Sequence, residues 1–500
     1  MIVNNVLKNH RKRVKSALEF ASFYGGIRTD VTSTILPLKY AVKMQNFSIK
    51  NGALTTGLGV QKLKLPAYDT GEDIITNWQF NSTPLRFYVS RDFNRVTNGT
   101  GDKLIVYNSE GKMAYSLIKS SIGMFVTIPN LELTSPPKSA INFTLTNGQD
   151  VLIFGNVEDK IKMWHLSTNN IETVSDSLDV TSLCTHYERV FATVGGKRTA
   201  IWFSDELDPT NWNNSLNEGG YIELADKMYG GANKIISFNN FLYVFRDYGI
   251  TRISAYASQT NFSVAQIYSS SSLIYANTVC TCGGAIYFMK SDGLYSFDGV
   301  NVTKVNLGFE NLIDRDTLSN SKVTFYKNKY CIILNTTLNQ IKSGYLNTLI
   351  TFDISKKEYD ILSGYSFVDI LGLISENFEK MVAIIYDRTL GKHFIVQVEE
   401  NGKVLDYVTP KIWESAYTDL GYPNYEKAIS RISLQTKTAC TVKIETEKDV
   451  FTLNFSGSDK TESRKVCISG TMFKITFISN EAECEISHPS IEFSLGKPNA

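Results

Sequence analysis

The feature that most limits what this chain can become is a loose repeat of paired apolar runs across its middle. From about residue 76 to 405 a strand-like run of bulky residues, a turn rich in Gly, Asp or Asn, and a second run bearing another aromatic recur in order. Six stretches anchor the pattern: "KLIVYNSEGKMAYSL" from Lys103, "VLIFGNVEDKIKMWHL" from Val151, "RVFATVGGKRTAIWFS" from Arg189, "FLYVFRDYGITRIS" from Phe241, "AIYFMKSDGLYSFDG" from Ala285 and "MVAIIYDRTLGKHFIVQV" from Met381. A seventh starts near Lys329 as "KYCIILN" and carries a longer insertion between its two runs. The starts lie about 38–52 residues apart, the spacing of propeller blades. In the best-matched pair, offset by 44, Leu242, Tyr243, Val244 and Phe245 align with Ile286, Tyr287, Phe288 and Met289, and Gly249 with Gly293. Glycine at that point supplies the backbone angles of a tight hairpin.

A lone hairpin cannot bury its apolar face, so such units gain a core only by stacking, and circular closure protects the two ends. The expectation is therefore an all-β chain: a six- or seven-bladed β-propeller over 61–407, an N-terminal helical or extended arm over 1–60, and a C-terminal β-sandwich over 408–500. A β-sandwich in the middle would also give short strands, but its residues need not recur near an offset of 44. After residue 408 runs such as "RISLQT", "CTVKIET" and "FKITFIS" alternate polar with apolar residues, as strands with one wet face do.

Ahead of the repeats, residues 5–20 have helical spacing, with Leu7, His10, Val14, Ala17 and Leu18 on one side and Arg11, Lys12, Lys15 and Glu19 facing largely away. Asn51-Gly52 between two apolar runs reads as a hairpin turn. Residues 1–50 hold nine Lys or Arg against Glu19 and Asp30, although the whole chain carries 51 basic and 50 acidic residues. A balance that even does not describe a dedicated nucleic-acid binder, which concentrates positive charge. The basic helix therefore reads first as a solvated face, then as a docking element for a protein, and least as a phosphate contact. Leu7, Val14 and Leu18 are its docking candidates; Arg11, Lys12 and Arg13 are its charge-pairing candidates.

Chemistry-bearing patterns are sparse. The five histidines are scattered, no metal-ligand spacing occurs, and neither a nucleophile elbow nor a phosphate loop is present, so no catalytic residue, cofactor or metal is expected. Seven cysteines in 500 residues, an odd count, suit a reducing compartment better than a disulfide framework. Cys280-Thr281-Cys282 reads as two small core residues. No run is long enough in apolar residues for a membrane helix, and Glu19 interrupts the one stretch that resembles a secretion signal. The most enzyme-like cluster is "FSDELDPTNWN", with Asp205, Glu206 and Asp208 close together. Paired carboxylates can hydrolyse glycosides. Asp-Pro-Thr-Asn is itself a strong turn former, however, so Asp205, Asp208 and Trp212 are read as a structural turn.

Three segments together resemble a known group. They are "FYGGIRTDVTSTILPLKYAVKMQNFSIKNGALTTGLG", "ERVFATVGGKRTAIWFSDELDPTNW" and "WESAYTDLGYPNYEKAISRISL". In this order they are similar to the β-propeller virion proteins of tailed bacteriophages, found in the neck or tail, including nozzle and stabilisation proteins. The resemblance implies a non-enzymatic virion component, assembled in the host cytoplasm. It would form a ring with copies of itself around the DNA channel, beside the portal, an adaptor or neighbouring neck and tail proteins, with non-specific contact to viral DNA. Collar, neck, ring and nozzle positions all stay open. The alternative is a tail propeller that binds or depolymerises a host-surface glycan.

Overall fold

Successive antiparallel sheets dominate the computed structural model, which describes residues 15–19, 23–30, 36–66, 72–93, 101–118, 123–213, 219–339, 344–375 and 378–498. Among these the helical turns are 3₁₀ segments of three to six residues, such as Lys227–Tyr229 and Arg315–Asn320. The chain divides into two units, 60–358 with 363–399, and 1–59 with 359–362 and 400–500.

The first unit opens with five four-stranded sheets, each built in sequence order. The first holds Pro84–Ser90, Lys103–Asn108, Met113–Leu117 and Val126–Thr127; the second Ser139–Thr144, Asp150–Asn156, Lys160–His165 and Ile171–Ser175. The third holds Val180–His186, Arg189–Val194, Ala200–Phe203 and Gly220–Glu223; the fourth Ala232–Phe238, Phe241–Arg246, Gly249–Ser254 and Ser263–Ser269. The fifth is Ile274–Cys282, Ala285–Lys290, Gly293–Phe297 and Val302–Val305. The sequence repeat is this sheet unit. Leu242 pairs with Ile253 and Arg246 with Gly249, while 44 residues on Ile286 pairs with Phe297 and Lys290 with Gly293.

A longer sheet follows. Lys322–Tyr326, Lys329–Leu334 and Leu346–Asp353 come first, continued by the 17-residue strand Tyr359–Ser375. From Ser366 that strand pairs with Phe378–Asp387, which pairs with Lys392–Glu399. The neighbour of Lys392–Glu399 is Gly59–Lys62, a strand from far up the chain. Just beyond it, Leu63 N–H donates to the Ile395 carbonyl (3.2 Å) and Lys64 N–H to Gln397 Oε1 (3.1 Å).

The second strands of these sheets are buried on both faces, so they read as continuous apolar runs rather than alternating ones. Their side chains nonetheless divide by parity between two interfaces. Leu152 and Phe154 pack with Ile105 and Tyr107 of the first sheet, whereas Val151 and Ile153 pack with Val190 and Ala192 of the third. Phe191 turns the other way, toward Leu242 and Val244; Tyr243 and Phe245 turn toward Ile286 and Phe288. On its free side the first sheet presents Leu104 and Val106 to Val382, Ile384 and Ile395, with Leu63 and Leu65 in the same cluster. The long strand Tyr359–Ser375 is tied to two first strands: Phe87 N–H donates to Asp369 Oδ2 at 2.7 Å, and Gly372 N–H to Thr324 Oγ1 at 2.7 Å.

The second unit contains two antiparallel sheets. One runs Phe47–Lys50, Ala53–Thr56, Glu485–Pro498, Tyr425–Thr436 and Ser458–Gly470; the other runs Ala41–Gln45, Lys411–Ser415, Lys474–Ser479, Cys440–Glu445 and Val450–Phe455. Phe23 lies edge-on against Trp413 (5.1 Å) and Phe477 (5.5 Å), all three fully buried. Asn51 and Gly52 both have positive φ (51° and 78°) and connect the paired Lys50 and Ala53, as a type I′ turn requires.

Two expectations are corrected here. Within the segment read as a helix, Lys15–Glu19 is a strand, paired from Lys15 with Ser494 to Glu19 with Ser490. A 16-residue helix is marginal alone, and the edge of the 14-residue strand Glu485–Pro498 offers backbone partners that outweigh its helical periodicity. Nor does Ala41–Thr56 belong to an arm apart from the C-terminal strands, because it supplies strands to both sheets of this unit.

Leu63 tests the long-range joint. It is fully buried against Val382 and Ile395 partners far away in sequence, so Leu63→Ala should lower unfolding stability by about 2–4 kcal/mol in denaturant titration. Leu390→Ala, at an exposed site, should change it by less than about 0.5 kcal/mol. Equal small effects would mean that Leu63 is not docked.

Candidate functional site

The residues singled out from sequence fall into two places. Leu7, Arg11, Lys12, Arg13 and Val14 lie outside the described residues, and Leu18 sits on the edge strand with its backbone opposite Ile491. Asp205, Asp208 and Trp212 belong to the loop that leaves Ala200–Phe203 in the third sheet.

That loop is held by its own acids. Asp205 N–H donates to the Asn211 carbonyl (2.8 Å), while Asp205 Oδ1 accepts from Glu206 N–H (2.7 Å) and lies 3.4 Å from Arg189 Nη1. Asp208 Oδ1 accepts from both the N–H (2.9 Å) and the hydroxyl (2.6 Å) of Thr210. Trp212 Nε1 donates to the Pro209 carbonyl at 2.8 Å, and its ring joins Trp202 against the core between the second and third sheets. Beneath runs Arg189, a buried cation, which also donates to the Ser204 carbonyl (3.0 Å) and approaches Glu206 at 3.7 Å. Asp205 and Asp208 are thus engaged as acceptors within the loop, the arrangement of a turn stabilised by side chains.

Sequence reasoning missed what lies beside it. The hairpin joining His186 to Arg189 turns through Tyr187, at a φ of 49°, and Glu188, whose carbonyl accepts from Leu207 N–H at 2.7 Å. Contact with Glu206 raises the Glu188 carboxyl above its ordinary value. Tyr187 is 49% exposed and meets Tyr256, 67% exposed, edge-on at 5.1 Å. No local signal in the sequence could have paired them, because 69 positions separate them.

His186, almost wholly buried, bonds Ser237 Oγ through Nδ1 at 2.8 Å, while its Nε2 is buried without a hydrogen-bond partner. A bare acceptor nitrogen is less costly there than an orphan N–H, which favours the tautomer with hydrogen on Nδ1. Burial pushes the imidazole pKa down to about 4. Among the described residues no group of three or more His, Cys, Asp or Glu is placed to hold a metal ion, and no helix is long and apolar enough to cross a membrane.

No protein-family model matches the sequence, and no curated protein sequence matches it. Solved structures with a similar arrangement include the computationally designed Ika8 protein (13% identity, TM-score 0.39, covering 74% of this chain and 98% of that one). PorZ, described as a bacterial surface component of the type-IX secretion system of Porphyromonas gingivalis, is 12% identical, with TM-score 0.37, and the match covers 71% of this chain and 45% of PorZ. BBS1N in complex with ARL6DN is 10% identical, with TM-score 0.39 and coverage of 68% and 97%.

A pH prediction follows from His186. Its folded pKa lies below the unfolded value of about 6.5, so between those values the unfolded chain binds the proton and the folded chain does not. This contribution is intact above pH ~6.5 and is lost as pH falls toward ~4, amounting to about 3 kcal/mol. His186→Asn should flatten that part of the stability–pH curve relative to the parent; identical slopes would show that the ring is solvated.

Proposed function

We propose that the chain is a non-enzymatic structural component of a tailed-phage virion, forming a multisubunit ring with copies of itself at the portal-proximal neck or tail. Its unit of residues 60–358 and 363–399 is built as a seven-bladed β-propeller: five four-stranded sheets, a sixth completed by the start of Tyr359–Ser375, and a seventh that borrows Gly59–Lys62 as its fourth strand. Its other unit is a β-sandwich of strands from both ends of the chain.

The observation that carries the virion reading is the ordered set of three resembling segments, and their residues have architectural work. Phe23 of the first segment packs against Trp413 of the third. Gly26, at a φ of 63°, leaves room for the Tyr359 hydroxyl, which accepts from Ile27 N–H at 2.5 Å; a Cβ on Gly26 would sit 2.8 Å from that oxygen. The second segment supplies Arg189 and the Asp205–Trp212 loop. Segments that build joints rather than expose reactive groups suit a load-bearing part. Such a part, in a neck or tail, would meet the portal, an adaptor or adjacent tail proteins, and the viral DNA only without sequence preference.

Mass spectrometry of purified virions, followed by locating the ring in a reconstruction, tests the assignment directly; absence of the chain from virions would end it. Removal of residues 1–14, which retains the strand Lys15–Glu19, should leave the melting temperature unchanged and reduce co-sedimentation with the portal-side ring. Undiminished co-sedimentation would exclude that segment as the docking element.

One observation favours a second reading, a tail protein that binds host-surface glycan. Two neighbouring exposed rings, Tyr187 and Tyr256, form a platform on which a sugar face can stack. A glycan-array signal abolished by Tyr256→Ala would support it, whereas an array with no signal for the parent protein would dismiss it.

A further inference from the structure

The first strand of each sheet in the 60–399 unit contacts the first strand of the next: Pro84–Ser90 with Ser139–Thr144, that with Val180–His186, and onward through Ala232–Phe238 and Ile274–Cys282 to Lys322–Tyr326. Bonds from Thr324 to Gly372 and from Asp369 to Phe87 complete the circuit. These strands therefore surround the axis of the ring. Four of them carry or adjoin a cation: Arg86, Lys234 and Lys322 within their strands, and the exposed Lys138 immediately before Ser139.

The cations act on each other. Arg86 depresses the pKa of both Lys234 and Lys322, in each case after burial as the larger cause, and Lys138 adds to the effect on Lys322, which falls to about 8. Near Lys234 the thiols of Cys184 and Cys280 act in the opposite direction. Asp369 is the carboxylate within electrostatic reach of Arg86 and Lys322, and it is buried, accepting the N–H of Phe87. Arg86 Nη2 donates to the Lys138 carbonyl at 3.2 Å, which ties the guanidinium to the neighbouring strand. Lys234 and Lys322 are enclosed by protein yet keep partial exposure, and among the described residues their ammonium groups make no hydrogen bond or ion pair.

Lys138 is exposed and has Glu158 within reach, but two enclosed lysines beside Arg86, with Asp369 as the carboxylate near them, are a costly arrangement unless something else supplies negative charge. Unpartnered ammonium groups beside a fixed guanidinium, reachable from solvent, form a receptor for a multiply charged oxyanion. We propose that the axis of the ring is a binding site for a small oxyanion of the phosphate or sulfate class, held by Arg86, Lys234 and Lys322 with Lys138 at its edge. Such an anion links strands from different sheets, so it acts as a central tie for the ring. The site rests on the closed-ring reading and is independent of the virion assignment.

The test uses the full chain and inorganic phosphate. Replacing chloride by phosphate at matched ionic strength should raise the parent's melting temperature by about 3 °C. Phosphate also stabilises proteins non-specifically, so the decisive comparison is with variants. Lys234→Met and Lys322→Met should each lose most of the increment while melting no lower than the parent in chloride, because each removes a like charge. Lys234→Arg should keep the increment. An increment of equal size in the parent and both Met variants, or none in the parent, overturns the proposal. A single-stranded oligonucleotide that stabilises the parent more than phosphate, and depends on Lys234, would overturn the small-anion assignment in favour of a threaded polymer. The purified chain suffices for every arm, so failure here leaves the virion reading untouched. Loss of the closed ring itself would show instead as a neutral Leu63→Ala.

Discussion

Everything in the 60–399 unit depends on sheets whose central strands have no wet face. Lys103–Asn108, Asp150–Asn156 and Arg189–Val194 are buried along their whole length, and alternate side chains go to different neighbours. Each fully buried Leu, Ile or Phe is worth about 1.5–3 kcal/mol, but only while the adjoining sheet is in place. A sheet with two apolar faces cannot end a series, since its last face would be left in water. Joining Leu104 and Val106 of the first sheet to Val382, Ile384 and Ile395 of the last removes that face. The segment from Gly59 to Leu65 is the part of the chain that makes this joint, and it does so from more than 330 residues away in sequence.

The same geometry explains which parts of the fold could be read from sequence. Hairpins were legible because their signals are local. Gly249 and Gly293 sit at equivalent turns, and the apolar runs before them are almost wholly buried strands. Fourth strands were far less legible. Val126–Thr127, Gly220–Glu223 and Ile171–Ser175 are short and mostly part-exposed, so little apolar pattern marks them. The boundary expected at residue 60 cuts through Gly59–Lys62, because nothing in four residues announces a partner near Glu399. The helical pattern at 5–20 misled for a related reason. Periodicity reports what a segment prefers alone, whereas Lys15–Glu19 is decided by an open strand edge that sequence does not display.

Side chains divide in the same way. The Asp205–Trp212 loop could be recognised because Asp, Pro, Thr and Asn act on backbone groups within a few residues of themselves. Arg189 beneath it, and the edge-on Tyr187 and Tyr256 beside it, belong to the tertiary fold and left no local mark. A lysine at position 234, 322 or 138 looks like any solvated lysine in a strand or turn. Only closure of the sheets turns them toward one axis.

That convergence carries its own tension. Apolar contacts between sheets pull the ring shut, and shutting it brings Lys234 and Lys322 into repulsion with Arg86 in a poorly solvated space. The hydrophobic term is spread over five clusters and many side chains, so it outweighs a few like-charge contacts that keep partial access to water. Asp369 offsets part of the repulsion where the first and last sheets meet, which is also where its carboxylate secures Phe87. A sequence shaped only for stability would place apolar or neutral residues at these positions. Retaining two enclosed lysines beside Arg86 at the centre of a ring makes structural sense when the negative charge that balances them comes from outside the chain.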